Sequence, residues 1–321
     1  MKDIWDILKK GKFSTILINY IRNHVFLLVI IELLVLGRDR KSLEIIRQIV
    51  ENKVYRRLRK KYRKYAIDIK YDLDKRNMSE TVGSNIWICW FQGVENAPDI
   101  VKLCIESIKK NVKNKKVIIL DSKNYKNYVK FPKYIDKKIE SGVITKTHLS
   151  DLLRMELLTT YGGTWIDATV LCTGDENISE LLDNKLFMFQ ILKPGLDGHS
   201  LRVSSWFINS WSNNKILLLA KELLYKYWQE NDYMYDYFLL HDFIELAIEL
   251  YPNIWEKVPP YSSSIPHLLQ LRLFKKYDEN IFNTIVRQTN FHKLTYKFGQ
   301  EETMKDETYY KKIYSMNKRI F

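Results

Sequence analysis

Apolar positions follow two different rhythms along the chain. Over the first 65 residues they recur at three- and four-residue spacing among basic side chains, as in helices with one apolar face. Residues 3–22 set Trp5, Leu8, Phe13, Ile16, Leu17, Tyr20 and Ile21 against Lys9, Lys10, Lys12 and Arg22, which suits an interfacial amphipathic segment or an ordinary surface helix. Val25–Leu36 is an apolar run of twelve residues interrupted by Glu32. A bilayer span needs roughly 20, so the run is too short to cross. The Gly37-Arg38-Asp39-Arg40 that follows lacks the small residues of a signal-peptide cleavage site, and no such peptide is expected. Leu43, Ile46, Val50, Val54, Leu58, Tyr62 and Tyr65 predict a helix over 41–65, and residues 66–83 read as a linker.

Beyond Ser84 the rhythm becomes strand, helix, strand, helix. Asn85–Phe91 is a continuous β-prone run, Ala97-Pro98 opens a helix through Lys110, and Lys116–Asp121 is a second strand. Short helices are expected in the lysine- and tyrosine-rich stretch 122–140. A helix from about His148 to Tyr161 stops at Gly162-Gly163, and Thr164–Cys172 reads as the next strand. Ser204–Asn209 is a further strand, and Lys215–Trp228 and Tyr235–Leu250 are amphipathic helices. After Pro252 the pattern is less regular, with an amphipathic piece at 266–276 and a polar-aromatic stretch at Phe291–Lys297. Alternating βαβ units predict an α/β fold with a mainly parallel sheet flanked by helices, and such sheets bind ligands at the carboxyl ends of their strands. Gln92, Asp121 and Asp167 fall at or near such ends.

Composition sharpens this picture in two places. With 46% hydrophobic and 13% aromatic residues the chain can bury a large core, and disorder is excluded. Cys89, Cys104 and Cys172 lie in apolar segments without close pairing, which fits reduced, buried thiols and not a disulfide frame or zinc site. The formal charge of +14 is uneven, because residues 1–80 carry 20 Lys and Arg against 10 Asp and Glu. This divides the chain into a basic helical region, 1–80, and an α/β domain, 81–321, where any catalytic site is expected. Arg56, Arg57, Arg59, Lys60, Lys61, Arg63 and Lys64 crowd the end of the 41–65 helix, a density that suits anionic lipid. Residues 1–70 are therefore expected on an anionic membrane surface. Nucleic acid is not expected, since no recognition motif accompanies the charge.

The richest chemistry lies in Ser150-Asp151-Leu152-Leu153-Arg154 and in Tyr161-Gly162-Gly163-Thr164-Trp165-Ile166-Asp167-Ala168-Thr169. Asp151 and Arg154 share one helix face, and a short turn brings Asp167 back beside them. A structural salt bridge with Asp167 as a turn residue would use the same groups.

The order Ser-Asp-x-x-Arg, then Tyr-Gly-Gly-x-Trp-x-Asp, resembles the donor-site signature of glycosyltransferase family 32, and more closely its bacterial capsular polysaccharide synthesis branch. The resemblance takes in Ile88-Cys89-Trp90-Phe91-Gln92-Gly93 with Asn96-Ala97-Pro98, Ser204-Ser205-Trp206-Phe207, and His292-Lys293-Leu294-Thr295-Tyr296-Lys297, and so covers residues 84–297. It implies an α/β fold of the glycosyltransferase A type and retaining transfer of a hexose from a nucleotide-diphosphate sugar, with a UDP-hexose as the expected donor. It also implies a divalent metal, Mn²⁺ or Mg²⁺, on the diphosphate. By this resemblance Asp167, Asp151 and Arg154 are catalytic, the last two holding donor hydroxyls. One of Trp90, Phe91 and Gln92 faces the nucleotide base, while His292 with Lys293 or Lys297 meets the diphosphate.

Asp167, Thr169 and His292 are the implied metal ligands. Thr169 stands where the Asp-x-Asp motif has its second carboxylate, and a hydroxyl is the poorer ligand. More positive charge must then come from elsewhere, so Asp167 and His292 are expected on opposite sides of one pocket. His241 and Asp242 are candidates for the acceptor side. The implied role is peripheral, at the cytoplasmic face of the bacterial plasma membrane, with a lipid-linked oligosaccharide as acceptor in capsule or surface polysaccharide synthesis. The alternatives are a non-catalytic membrane or nucleic-acid binding protein with a structural Asp/Arg cluster, and a sugar-phosphate transferase. No second carboxylate partners Asp167 in the sequence, which points to a front-face reaction in which the leaving phosphate takes the acceptor proton.

Overall fold

The computed structural model describes residues 18, 20–176, 178–192 and 201–317. Of the amphipathic segment expected over 3–22, residues 3–17 and 19 lie outside the described residues.

Strands β1 (Asn85–Cys89), β2 (Lys116–Leu120), β3 (Gly163–Ile166), β5 (Leu186–Gln190) and β6 (Val203–Ser210) form one sheet in the order β2-β1-β3-β6-β5. β1 pairs in parallel with β2 and β3, whereas β6 runs antiparallel to both of its neighbours. Four of the five strands therefore run the same way, and the α/β class with a mainly parallel sheet is as expected. Two apolar layers cover it. Ile86, Ile88 and Ile166 face a core shared with helix α3 (Asp99–Asn111), while Trp87 and Trp165 face one built from α4 (Lys146–Tyr161), α5 (Lys215–Glu230) and α6 (Leu239–Leu250). A strand buried on both faces has to be apolar at successive positions, which is why β1 reads as an unbroken run.

The Gly162-Gly163 pair is required by close approach. Both residues have positive φ, 66° and 94°, and a Cβ on Gly163 would lie 2.3 Å from the Asn85 carbonyl oxygen. The backbone can leave α4 and pass alongside β1 only without side chains there.

Three expectations change. The linker expected over 66–83 is helical as far as Lys75, in a single helix Arg40–Lys75 that follows the shorter Phe26–Leu36; these two are α2 and α1. Ala66, Ile69 and Leu73 prolong the seam of Tyr62, and Val54, Leu58 and Tyr62 lie in the same core as Trp87, Leu153 and Phe243. The Tyr62 and Phe243 rings meet edge to face at 5.4 Å, and Arg59 pairs with Glu249 at 2.7 Å. The boundary expected near residue 80 is thus not one between independent cores.

Secondly, Thr164–Cys172 is not one strand. β3 ends at Ile166, and β4 (Val170–Cys172) belongs to a separate antiparallel pair with β7 (Phe291–Lys293). Between them Val170 N donates to Asp167 O at 3.0 Å, closing a turn over 167–169. Thirdly, the fully buried β5 was not expected from the sequence pattern.

Helix α1 is the exception to this packing. Leu27, Leu34 and Val35 are 72%, 76% and 73% exposed. No helix among the described residues is long and apolar enough to cross a membrane.

Because α2 is part of the core, Leu58→Ala should cost about 2–5 kcal/mol, the usual range for a buried leucine, and lower the midpoint of urea unfolding of the whole protein. A loosely attached helix would leave that midpoint where it is.

Candidate active site

An open cavity of about 500 Å³ lies at the carboxyl ends of β1 and β3, where the parallel topology turns their loops to one side. Its walls come from Trp90, Phe91 and Gln92 after β1, Lys146, Thr147 and Ser150 at the start of α4, the turn Asp167-Ala168-Thr169, and Lys293 through Lys297. Cys89, Trp165, Tyr237, His267 and Gln270 complete it. Trp90 and Tyr296 meet edge to face at 5.2 Å and form an aromatic wall.

Asp167 is held from two sides. Its Oδ1 accepts from Trp165 Nε1 at 3.0 Å and from Arg154 Nη2 at 3.3 Å, and its Oδ2 accepts from Lys293 Nζ at 2.8 Å. Burial by itself raises the Asp167 carboxyl, but the Lys293 and Arg154 charges outweigh it and hold the group below its ordinary value of 3.8. It is an anion at neutral pH. Lys293 Nζ also donates to Thr169 Oγ1 at 2.7 Å.

Behind Asp167 the charges continue inward. Arg154 Nη1 stands 3.0 Å from Asp151 Oδ1, His148 Nδ1 stands 3.3 Å from Asp151 Oδ2, and the Arg154 guanidinium lies over the Trp165 ring at 4.9 Å. The side chains of Arg154 and Asp151 are only 5% and 12% exposed, and neither lines the cavity. The expectation that they hold donor hydroxyls is therefore corrected: Arg154 holds Asp167, and Asp151 holds Arg154.

A second correction concerns His292. In β7 successive side chains alternate between faces. His292 is fully buried, opposite Leu171 of β4, with Nε2 3.1 Å from Thr173 Oγ1. Burial pushes its pKa down to about 4. It does not share the pocket of Asp167 and is no metal ligand there; its neighbour Lys293 takes that place. Trp90, Phe91, Gln92 and Lys297 line the cavity. His241 and Asp242 do not. The Asp242 carboxyl is buried and raised well above the ordinary carboxylate value, so it belongs to the core.

The residues present do not fit a divalent metal. The turn offers one carboxylate and one hydroxyl, and a single ammonium already bridges them. Among the described residues no three His, Cys, Asp or Glu side chains assemble as a ligand set. Lys146, Thr147, Tyr237, His267 and Gln270 were not singled out from the sequence. Lys146 and Thr147 lie ahead of the helix expected from about His148, which in the structure begins at Lys146.

Comparison with known proteins gives a family match and matches among solved structures. The model of a family described as "Capsular polysaccharide synthesis protein" matches residues 38–313. No curated protein matches the chain. Among solved structures, a chain described as "PaToxG Glycosyltransferase" aligns at 17% identity and a TM-score of 0.38, over 84% of this chain and 97% of that one.

The state of His292 can be tested by titration. In the unfolded chain it takes up a proton near 6.5, whereas in the fold it stays neutral down to about 4. The unfolded state binds more protons between those values, so stability should fall as pH is lowered through that window. His292 alone contributes on the order of 3 kcal/mol to this loss. Thermal unfolding across the window should show a shallower slope for His292→Gln than for the wild type.

Proposed function

The chain belongs to the capsular polysaccharide synthesis protein family, and from that premise we propose that it is a glycosyltransferase whose cavity at Asp167 takes a nucleoside-diphosphate sugar. The observation that carries this reading is the meeting of Lys293, Lys146 and Lys297 with the Trp90–Tyr296 wall in one cavity at the strand ends. A nucleoside diphosphate calls for both. Cations are needed where negative charge collects on the departing diphosphate, and an aromatic surface suits the base. A UDP-hexose is a donor of this kind.

In the proposed reaction the bond from the anomeric carbon to the diphosphate oxygen breaks and a bond to the acceptor oxygen forms. The acceptor proton passes to the departing phosphate. Asp167 is the sole carboxylate on the cavity wall among the described residues, and both its oxygens are engaged. A carboxylate so tied is a poor nucleophile, which favours a front-face reaction with retention of configuration over a covalent glycosyl-enzyme. The role of Asp167 is to fix Lys293 at the diphosphate.

The proposed acceptor is a lipid-linked oligosaccharide at the cytoplasmic face of the bacterial plasma membrane. Two surfaces support this. Leu27, Ile31, Leu34 and Val35 of α1 are exposed, and the solvent side of α2 carries Arg56, Arg57, Lys60, Arg63 and Lys64. Apolar residues at the headgroup boundary together with cations for anionic lipid describe a peripheral membrane protein.

A panel of nucleotide sugars should contain at least one that raises the unfolding temperature of the wild type, since ligand binding stabilises by mass action. Asp167→Ala should reduce that shift and abolish sugar transfer while leaving the fold intact by circular dichroism. If no nucleotide sugar stabilises the wild type, the reading fails, and a trapped glycosyl-aspartate or glycosyl-glutamate would overturn the front-face route. On flotation with phosphatidylglycerol vesicles the protein should rise with the lipid, and the pair Leu27→Ser and Leu34→Ser should leave it at the bottom.

A further inference from the structure

The divalent metal implied by resemblance disagrees with the residues at 167–169, and the disagreement has a chemical form. We propose that the Lys293 ammonium does the work of the divalent cation at the diphosphate, so that nucleotide binding needs no metal. The inference rests on the cavity being a nucleoside-diphosphate site.

Position is the first ground. Lys293 Nζ lies 2.8 Å from Asp167 Oδ2 and 2.7 Å from Thr169 Oγ1, bridging the first and third residues of the turn, the two positions a shared cation would bridge. Charge is the second. Two carboxylates with a divalent cation sum to zero, and one carboxylate, one hydroxyl and one ammonium also sum to zero. The exchange of a carboxylate for Thr169 and the arrival of Lys293 compensate each other. A divalent ion added beside Lys293 would face its charge at close range with a single carboxylate to offset both.

The lysine is also built into place. Residue 293 pairs with Val170 in the β4–β7 ladder, and Leu294 N donates to Thr169 O at 2.9 Å, so backbone bonds flank the turn that Lys293 reaches. An ammonium has three N–H donors. Asp167 and Thr169 take two, which leaves the third for a phosphate oxygen, and the side chain lines the cavity at 20% exposure.

Binding of UDP, GDP, ADP, CDP and dTDP to the full chain, measured by calorimetry in excess EDTA and in Mn²⁺, tests this. At least one should bind with a Kd that agrees within about twofold in the two conditions. Lys293→Ala should weaken it by roughly tenfold to a hundredfold, the range for a charge-assisted hydrogen bond, with Lys293→Arg recovering part of the loss and both variants folded by circular dichroism. The pair Thr169→Asp and Lys293→Ala should bind the nucleotide only with Mn²⁺, and should itself broaden the Mn²⁺ electron paramagnetic resonance signal where the wild type does not. Wild-type binding that disappears in EDTA and returns with Mn²⁺, or undiminished binding by Lys293→Ala, overturns the lysine's role and leaves the glycosyltransferase reading standing. Failure of all five nucleotides in both conditions overturns that reading and this one together.

Discussion

A carboxylate at the end of a buried strand is held as an anion by the cations brought to it, and those of Asp167 come from one near and one distant part of the chain. Arg154 arrives from α4, immediately before the strand, whereas Lys293 arrives 126 residues later. The second cation is available only because β7 pairs with β4, and β4 is free to pair there only because the chain breaks out of the main sheet at 167–169. The junction of the two sheets and the charge balance of Asp167 are therefore one constraint. It also lies where the two cores meet, since Trp165 faces one and Ile166 the other.

The charges behind Asp167 follow from the same requirement. Alternating signs run from Asp151 through Arg154 and Asp167 to Lys293, so each buried charge has an opposite neighbour. Arg154 is almost wholly buried over Trp165, and its charge is balanced there only while both aspartates remain ionised. Removing one member of such a chain leaves an unpaired charge in the interior, a change of about 3–5 kcal/mol. Asp151 and Arg154 can thus be indispensable to the site without touching its ligand. The second and third turns of α4 and a strand end after a two-glycine turn are rigid supports for that arrangement.

Much of this could be read from the sequence where local order is decisive. The parallel sheet, α4, the glycine turn and the strand-end position of Asp167 all announce themselves through apolar periodicity and the Gly-Gly stop. What stayed hidden depends on partners far away. Nothing in Phe291–Lys293 says which of His292 and Lys293 faces the turn, because that is fixed by register against β4, and a shift by one residue would exchange them. The split of 164–172 is invisible for the same reason, since both halves are β-prone and only the hydrogen bond from Asp167 N to Trp206 O shows where the main sheet lets the chain go. Residues 66–75 look like a linker because Asp68, Asp72 and Asp74 interrupt the pattern, yet Ala66, Ile69 and Leu73 keep the seam.

The packing of α2 bears on how the proposed transferase would meet a membrane-anchored acceptor. A single amphipathic helix binds a bilayer through its own apolar face, but the apolar face of α2 is buried against α5 and α6. It cannot turn outward without opening the core. In the proposed docking the apolar and cationic requirements of a membrane surface would fall instead to two helices, α1 with its exposed leucines and α2 with its solvent-facing arginines and lysines. Docking of this kind would leave α2 in place, with its ion pair from Arg59 to Glu249 on α6 intact. The sheet, its loops and the cavity would then sit at a fixed height above the bilayer. An acceptor whose lipid end is anchored in that bilayer can present its sugar end only over a narrow range of heights, and a rigid mount of this sort would suit it better than a tethered domain.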